Sequence, residues 1–366
     1  MNAAIPADIT CADDYARRAQ ALLPPAVSAY IDGGNGDNQC LRANRDAFAA
    51  WSIWPRVLQR HAQGSTQLSL FGQHLCHPIL LAPLARHGLV HAEAEVATAQ
   101  AARATGTVMV ASTQSSLSLE TIAAELAGTG WFQLYLQPRR DDTLALVRRA
   151  EAAGFCALVL TLDAPVQMAS REAMRAGPAW PAGEIVANLA QQSLPARREL
   201  DADASLIFQG AMADAPDWDD VAWLRRATRL PILAKGALHP DDAARLVALG
   251  VDGLIVSNHG GRALASAPAT LTVLPAIRAR VGAAVPVLLD GGIRSGSDAF
   301  KAIALGADAV LVGRPQLHAL AVAGARGVAH LLKLLRDEFE VTMALAGCFN
   351  LADIGRHTLL ERTNRC

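Results

Sequence analysis

Eight short apolar runs recur along this chain with helical stretches between them, and that alternation leaves few folds open. The runs cover 78–82, 106–111, 131–135, 157–160, 231–234, 253–256, 285–289 and 309–312. They are nearly continuous in apolar residues and do not alternate with polar ones, the pattern of strands buried on both faces in a parallel sheet. Amphipathic segments at 92–104, 143–153, 241–249 and 297–305 lie among them, followed by Gly106, Gly154, Gly250 and Gly306. Glycine is the usual residue just past a helix C-terminus because it enters the left-handed region freely. Eight β/α units over about 78–335 match the ~250-residue (β/α)8 TIM barrel. The chain therefore reads as an α/β protein forming one domain over 1–366.

Two stretches depart from even spacing. An N-terminal extension precedes the first run and opens with a helical pattern over 12–29, which the prolines at 24 and 25 should end or kink. The second departure is 164–221, between the fourth and fifth runs, rich in Pro, Ala and polar residues and without a strand period. A loop that long within a compact domain is usually an active-site lid or mobile.

Composition removes several classes of function. Lys and Arg number 33 against 34 Asp and Glu, for a net charge of −1, which is not the basic footprint of a nucleic-acid binder or of a polybasic membrane anchor. The most apolar C-terminal run, 317–335, is interrupted by Arg326, His330 and Lys333, so no stretch reaches the ~18 uncharged apolar residues of a spanning helix. Six cysteines are scattered with no CxxC pair, which suits reduced thiols in the cytoplasm. The N-terminus has no apolar signal-peptide core. His74 and His77 have a metal-like spacing but no companion ligands, so no metal site is expected.

Polar groups close nearly every apolar run, at the strand ends where such barrels carry their chemistry. In order they are Pro83, Leu84 and Ala85; Ser112; Gln133 and Tyr135; Thr161 and Asp163; Lys235; Ser257, Asn258 and His259; Asp290, Gly291, Gly292 and Arg294; Gly313 and Arg314. The glycine- and arginine-bearing ends of the last two runs suit a phosphate, which backbone amides and guanidinium groups bind well. His259 shares the mouth with Asp163, which can hold an imidazole and stabilise its charged form. Arg262 can grip a carboxylate with two nitrogens. Lys235 would be costly to bury without an anionic partner.

Taken in order, YIDGGNGD, WFQLY, LTLDAP, PILAKG, SNHGGR, LDGGIRSG and VGRP resemble the motifs of the FMN-dependent α-hydroxy-acid oxidase/dehydrogenase family. The resemblance runs from about residue 12 to 355 and includes DEFEVTMALAGC. It implies FMN as cofactor and oxidation of a small (S)-2-hydroxy acid, such as L-lactate, to the 2-keto acid. It also implies a homo-oligomer, typically a tetramer.

Residue by residue, the resemblance makes His259 the base and Asp163 its orienting carboxylate. It makes Tyr30 and Tyr135 substrate-contacting tyrosines and Arg262 the principal carboxylate clamp. Lys235 stands beside the flavin ring. Pro83, Leu84, Ala85, Ser112, Gln133, Thr161 and Ser257 are assigned to the ring and ribityl chain, and Asp290, Gly291, Gly292, Arg294, Gly313 and Arg314 to the ribityl chain and phosphate. Ala85 matches the family's oxidases, implying O2 as electron acceptor and hydrogen peroxide as product, with a quinone-linked dehydrogenase as the alternative. The departures are Ala263, Leu264 and Ala265 where the family has Gln-Leu-Asp, Gln114 in place of a tryptophan, and Arg171, the best match to a second carboxylate clamp but one residue late. These leave open a flavin-binding barrel of reduced or altered activity.

Overall fold

A computed structural model describes residues 4–180, 186–190, 192, 200–201 and 203–362. Eight parallel strands form the barrel: β1 (Ile79–Leu81), β2 (Val110–Ser112), β3 (Trp131–Leu134), β4 (Leu158–Thr161), β5 (Ile232–Lys235), β6 (Gly253–Val256), β7 (Val287–Asp290) and β8 (Ala309–Val312). Each pairs with its sequence neighbour from β2 to β8, and β8 pairs back onto β1. The ring closes through a bridge between Leu81 and Met109 and the Leu81 N to Val108 O bond of 2.9 Å. All eight expected strands are present, with ends shifted by a few residues.

Continuous burial of these strands follows from the two sides they face. Leu80, Val110, Trp131, Val159, Leu233, Ile255, Leu288 and Leu311 belong to a cluster filling the barrel. Their neighbours, including Leu81, Phe132, Leu160, Ile232, Val256, Leu289 and Val312, belong to the larger cluster under the helices. Both sets are apolar, so the period-two signal disappears. A hairpin, Leu68–Leu70 with Gln73–Leu75, plugs the amino end. There Gln73 accepts a 2.6 Å hydrogen bond from the Trp131 indole, and Phe71 meets the Trp131 ring at 5.6 Å.

Helices Ala94–Thr105, Leu119–Leu126, Arg140–Ala153, Trp218–Ala227, Pro240–Ala248, Thr270–Val281, Gly296–Ala304 and Arg314–Ala346 surround the ring. The last runs past the expected limit of 335 and is broken at Ala323 and Gly324, the latter with φ of 57°. No helix among the described residues is long and apolar enough to cross a membrane. The expected N-terminal helix is two, Ala12–Leu22 and Pro25–Asp32, parted at Leu23 and Pro24. A third, Gln39–Ala49, lies against the loop after β6. The strand Trp51–Ile53 pairs with the C-terminal strand Leu359–Glu361.

The stretch after β4 is less loop-like than its sequence. It contains a helix at Arg171–Ala176, and the helix Trp218–Ala227 begins before the expected end of the lid at 221. Asp217 starts that helix early, since its carboxylate accepts from the Asp219 and Asp220 amides at 2.8 and 3.1 Å.

Candidate active site

The carboxyl ends of the strands open into a cavity of about 1070 Å³, open solvent included. Its lining includes Tyr30, Pro83, Leu84, Ala85, Ser112, Gln133, Tyr135, Thr161, Lys235, His259, Arg262, Asp290, Gly291, Gly292, Arg294, Gly313 and Arg314. Seventeen residues given site roles from the sequence, spread over nearly 300 positions, thus converge on one space. Three others given such roles do not line it. Asp163 reaches the cavity through His259, Ser257 lies behind Lys235, and Arg171 faces away.

At the centre His259 Nδ1 stands 2.8 Å from Asp163 Oδ1. Burial would raise the Asp163 carboxyl, but the charge of Lys235 and the hydrogen bond with His259 hold it below its ordinary value. An ionised Asp163 fixes the imidazole with its proton on Nδ1, leaving Nε2 to accept a proton from the cavity side. Tyr135 Oη is 3.5 Å from that Nε2, and burial pushes its phenol up to about 12. His259 itself has a φ of 57°, unusual for a residue with a side chain.

Lys235 is 3% exposed at the end of β5. Its ammonium lies 3.3 Å from Asp290 Oδ2 and donates to Ser257 Oγ at 2.9 Å. Burial opposes its charge, yet Asp290 and Asp163 hold its pKa above the ordinary lysine value. A permanent cation therefore faces the cavity floor. Ser112, Gln133 and Thr161 form a hydrogen-bonded row across β2, β3 and β4: Ser112 Oγ donates to Gln133 Oε1 at 3.1 Å, and Gln133 Nε2 to Thr161 Oγ1 at 3.0 Å.

The opposite end is built for an anion. Arg294 and Arg314 hydrogen-bond backbone carbonyls of Ile293, Ile31 and Gly33. Burial pulls Arg294 down to about 10 and Arg314 well below its ordinary value, Arg314 further so beside Arg262 and Arg294. Such crowding of guanidinium groups is relieved by a bound anion. Gly291 and Gly292, both at φ of 94°, bring the main chain to the same place, and a β-carbon on Gly292 would meet Asn44 O at 2.6 Å. The buried Asp290 Oδ1 has no hydrogen-bond partner among the described residues, and Asp290 lines the same cavity. A cofactor with a phosphate at one end, hydroxyls between and a polar ring near Lys235 fits this donor set.

Arg262 comes from the loop after β6, and its terminal Nη2 donates to the carbonyls of Tyr30 and, at 2.9 Å, Ile31. Its guanidinium lies 4.9 Å from the Tyr30 ring centre. Helix Pro25–Asp32 thus contributes a tyrosine and holds a cation at the mouth. Arg171, by contrast, binds Asp37 at 2.5 and 2.6 Å on the exposed surface. The residue before it, Ser170, is the buried one and caps the helix by accepting from Ala173 N at 3.1 Å. Gln114 and Gln167 line the cavity as well. Only Gln114 was marked by its sequence position. Gln167 lies in an aperiodic loop that gives no signal.

The two histidines with metal-like spacing have other employment. His74 bonds Ser69 at 2.8 Å, and His77 is buried ahead of β1.

The sequence profile described as FMN-dependent dehydrogenase matches residues 19–361. An L-lactate oxidase of Alicycliphilus denitrificans is 56% identical over 97% of both chains. A peroxisomal (S)-2-hydroxyacid oxidase of Arabidopsis thaliana is 40% identical over 96% of this chain and 97% of its own. Among solved structures, a mandelate oxidase superposes with a TM-score of 0.86 at 39% identity, over 97% of this chain and 98% of that one.

Proposed function

The chain belongs to the FMN-dependent dehydrogenase family, and from that premise we propose that it is an (S)-2-hydroxy-acid oxidase with L-lactate as its first candidate substrate. Lactate is favoured because the similar enzymes of Alicycliphilus denitrificans and Roseobacter are L-lactate oxidases. The balanced reaction is 2-hydroxy acid plus O2 giving 2-keto acid plus hydrogen peroxide. The observation that carries this reading is the Asp163–His259 pair, 2.8 Å apart, facing the same cavity as Arg262 and Lys235.

Pro83, Leu84, Ala85, Ser112, Gln133, Thr161 and Lys235 would hold the ring of FMN, with Ser257 acting through Lys235. Asp290 would take the ribityl hydroxyls, and Gly291, Gly292, Arg294, Gly313 and Arg314 the phosphate. When bound, FMN supplies the two-electron acceptor for the substrate's C–H bond and returns the electrons to oxygen.

The protein's own part is binding and proton transfer. Arg262 pairs with the substrate carboxylate through donors not already used on the Tyr30 and Ile31 carbonyls. His259 Nε2 takes a proton from the substrate, and Asp163 stabilises the imidazolium that results. Tyr30 and Tyr135 stand at the same end to hydrogen-bond the hydroxyl and carboxylate. Lys235, held charged by its two carboxylates, offsets negative charge near the ring. We place the enzyme in the cytoplasm, which suits its free thiols, and assign it a homotetramer on family resemblance alone.

Mixing the purified protein anaerobically with L-lactate, glycolate and (S)-mandelate tests the reading. A bound flavin that L-lactate bleaches supports it; a colourless protein, or a flavin no 2-hydroxy acid reduces, removes it. Oxygen uptake after bleaching separates oxidase from quinone-linked dehydrogenase.

A further inference from the structure

The loop that carries the base is bent in an uncommon way. His259, Gly260 and Gly261 have consecutive φ values of 57°, 63° and 81°. A side-chain-bearing residue keeps such a conformation only where the surroundings over-determine it.

A pair of amides supplies the restraint. Asn44 Nδ2 donates to Asn258 Oδ1, and Asn258 Nδ2 donates back to Asn44 Oδ1, each at 2.8 Å. Both residues are buried, at 2% and 1% exposure. Asn258 Oδ1 also accepts from Gly261 N at 3.1 Å, closing the turn around His259, and its Nδ2 donates to Pro268 O at 3.1 Å. Asn44 Oδ1 further accepts from Thr270 N at 3.3 Å, and Thr270 Oγ1 donates to Asp290 O at 2.6 Å. The same helix touches both loops through its backbone: a β-carbon on Gly261 would stand 2.7 Å from Leu41 N, and one on Gly292 2.6 Å from Asn44 O.

We infer that Asn44 is a positioning residue. Through Asn258 it fixes the left-handed turn that aims His259 and Arg262 into the cavity, and through Thr270 it keeps the Asp290–Gly292 cradle in register with that turn. A buried amide that merely satisfied its own hydrogen bonds would affect stability alone. The kinetic consequence rests on the proposed oxidation; the conformational one does not.

The test uses the full chain with Asn44→Leu and Asn44→Asp. An aspartate still accepts from Asn258 Nδ2 and Thr270 N but cannot donate to Asn258 Oδ1, whereas leucine makes none of these bonds. Amide exchange is measured on the flavin-free protein over 257–262, with FMN affinity and the limiting rate of anaerobic bleaching measured on the loaded enzyme. Asn44→Leu should exchange faster in that segment and bleach about 100-fold more slowly, since small misplacements of a reacting group cost that much. Asn44→Asp, which loses the donor to Asn258 Oδ1, should also depart from wild type in both readouts. Wild-type exchange and bleaching in Asn44→Leu overturns the inference. Should Asn44→Leu not fold, wild-type exchange and rate in Asn44→Asp overturn it equally. A wild-type flavin that no hydroxy acid bleaches defeats the proposed reaction, while the exchange readout still decides the role of Asn44.

Discussion

Asp163 Oδ1 and His259 Nδ1 lie 2.8 Å apart, while the other carboxylate oxygen of Asp163 is buried without a hydrogen-bond partner among the described residues. The carboxylate is thus committed to one imidazole and to the field of Lys235. General-base catalysis contributes roughly 10²–10⁴-fold, so His259→Ala should slow anaerobic flavin bleaching by L-lactate by that factor. Asp163→Asn should slow it comparably, because the imidazolium loses its counter-charge. Bleaching at the wild-type rate in either variant would remove the base assignment.

Arg262 and Arg171 should separate cleanly. Arg262→Lys loses the planar fork and leaves the Tyr30 and Ile31 carbonyls less well served. A charge-assisted hydrogen bond is worth about 1.5–3 kcal/mol, which corresponds to roughly a 10- to 100-fold fall in kcat/KM. Arg171→Ala should change kcat/KM by less than about twofold, because its pair with Asp37 is exposed at 58% and 65% and such pairs contribute little. Steady-state kinetics on L-lactate checks both. Equal losses would return Arg171 to the substrate site.

Removing Lys235 should destabilise the fold as well as the chemistry. Lys235→Met leaves Asp290 and Asp163 buried without their shared cation, and breaking a buried pair on one side costs about 3–5 kcal/mol. Urea unfolding of the flavin-free protein measures this apart from cofactor binding. An unchanged midpoint would mean that solvent already screens the pair.

His77 predicts an acid-sensitive fold. Burial, with the nearby Arg336, lowers its pKa from 6.5 to about 4. Below pH 6.5 the unfolded chain takes up a proton that the folded chain refuses, so stability falls as the pH drops from 6.5 towards 4. Between pH 7 and 5 this one residue should account for about 2 kcal/mol. His77→Asn should flatten that part of the unfolding free-energy curve. A variant as acid-sensitive as wild type would assign the loss to other groups.

The barrel was legible because both strand faces are apolar, which made β3 at Trp131–Leu134 and β8 at Ala309–Val312 plain runs. The polar residues ending those runs were legible for the same reason: a lysine after Ile232–Ala234 has nowhere to go but the mouth. Resemblance supplied Tyr30, which no strand position could have marked. Arg171 shows the limit. Its spacing after Asp163 was nearly right, but a helix start turns successive residues to different sides, so Ser170 went inward and Arg171 to Asp37. Asn44 and Asn258 were invisible as a pair, being 214 positions apart with no charge to couple them.

The extension ahead of the barrel has one more consequence, for synthesis. Helix Pro25–Asp32, which holds Tyr30, and helix Gln39–Ala49, which braces the turn after β6, leave the ribosome before any barrel strand. Their partners, Arg262 and Arg314 for the first helix and Asn258 and Thr270 for the second, are among the later residues to emerge. A nascent chain with a nearly complete ring of strands therefore still lacks a closed pocket until these two distant parts of the polypeptide meet.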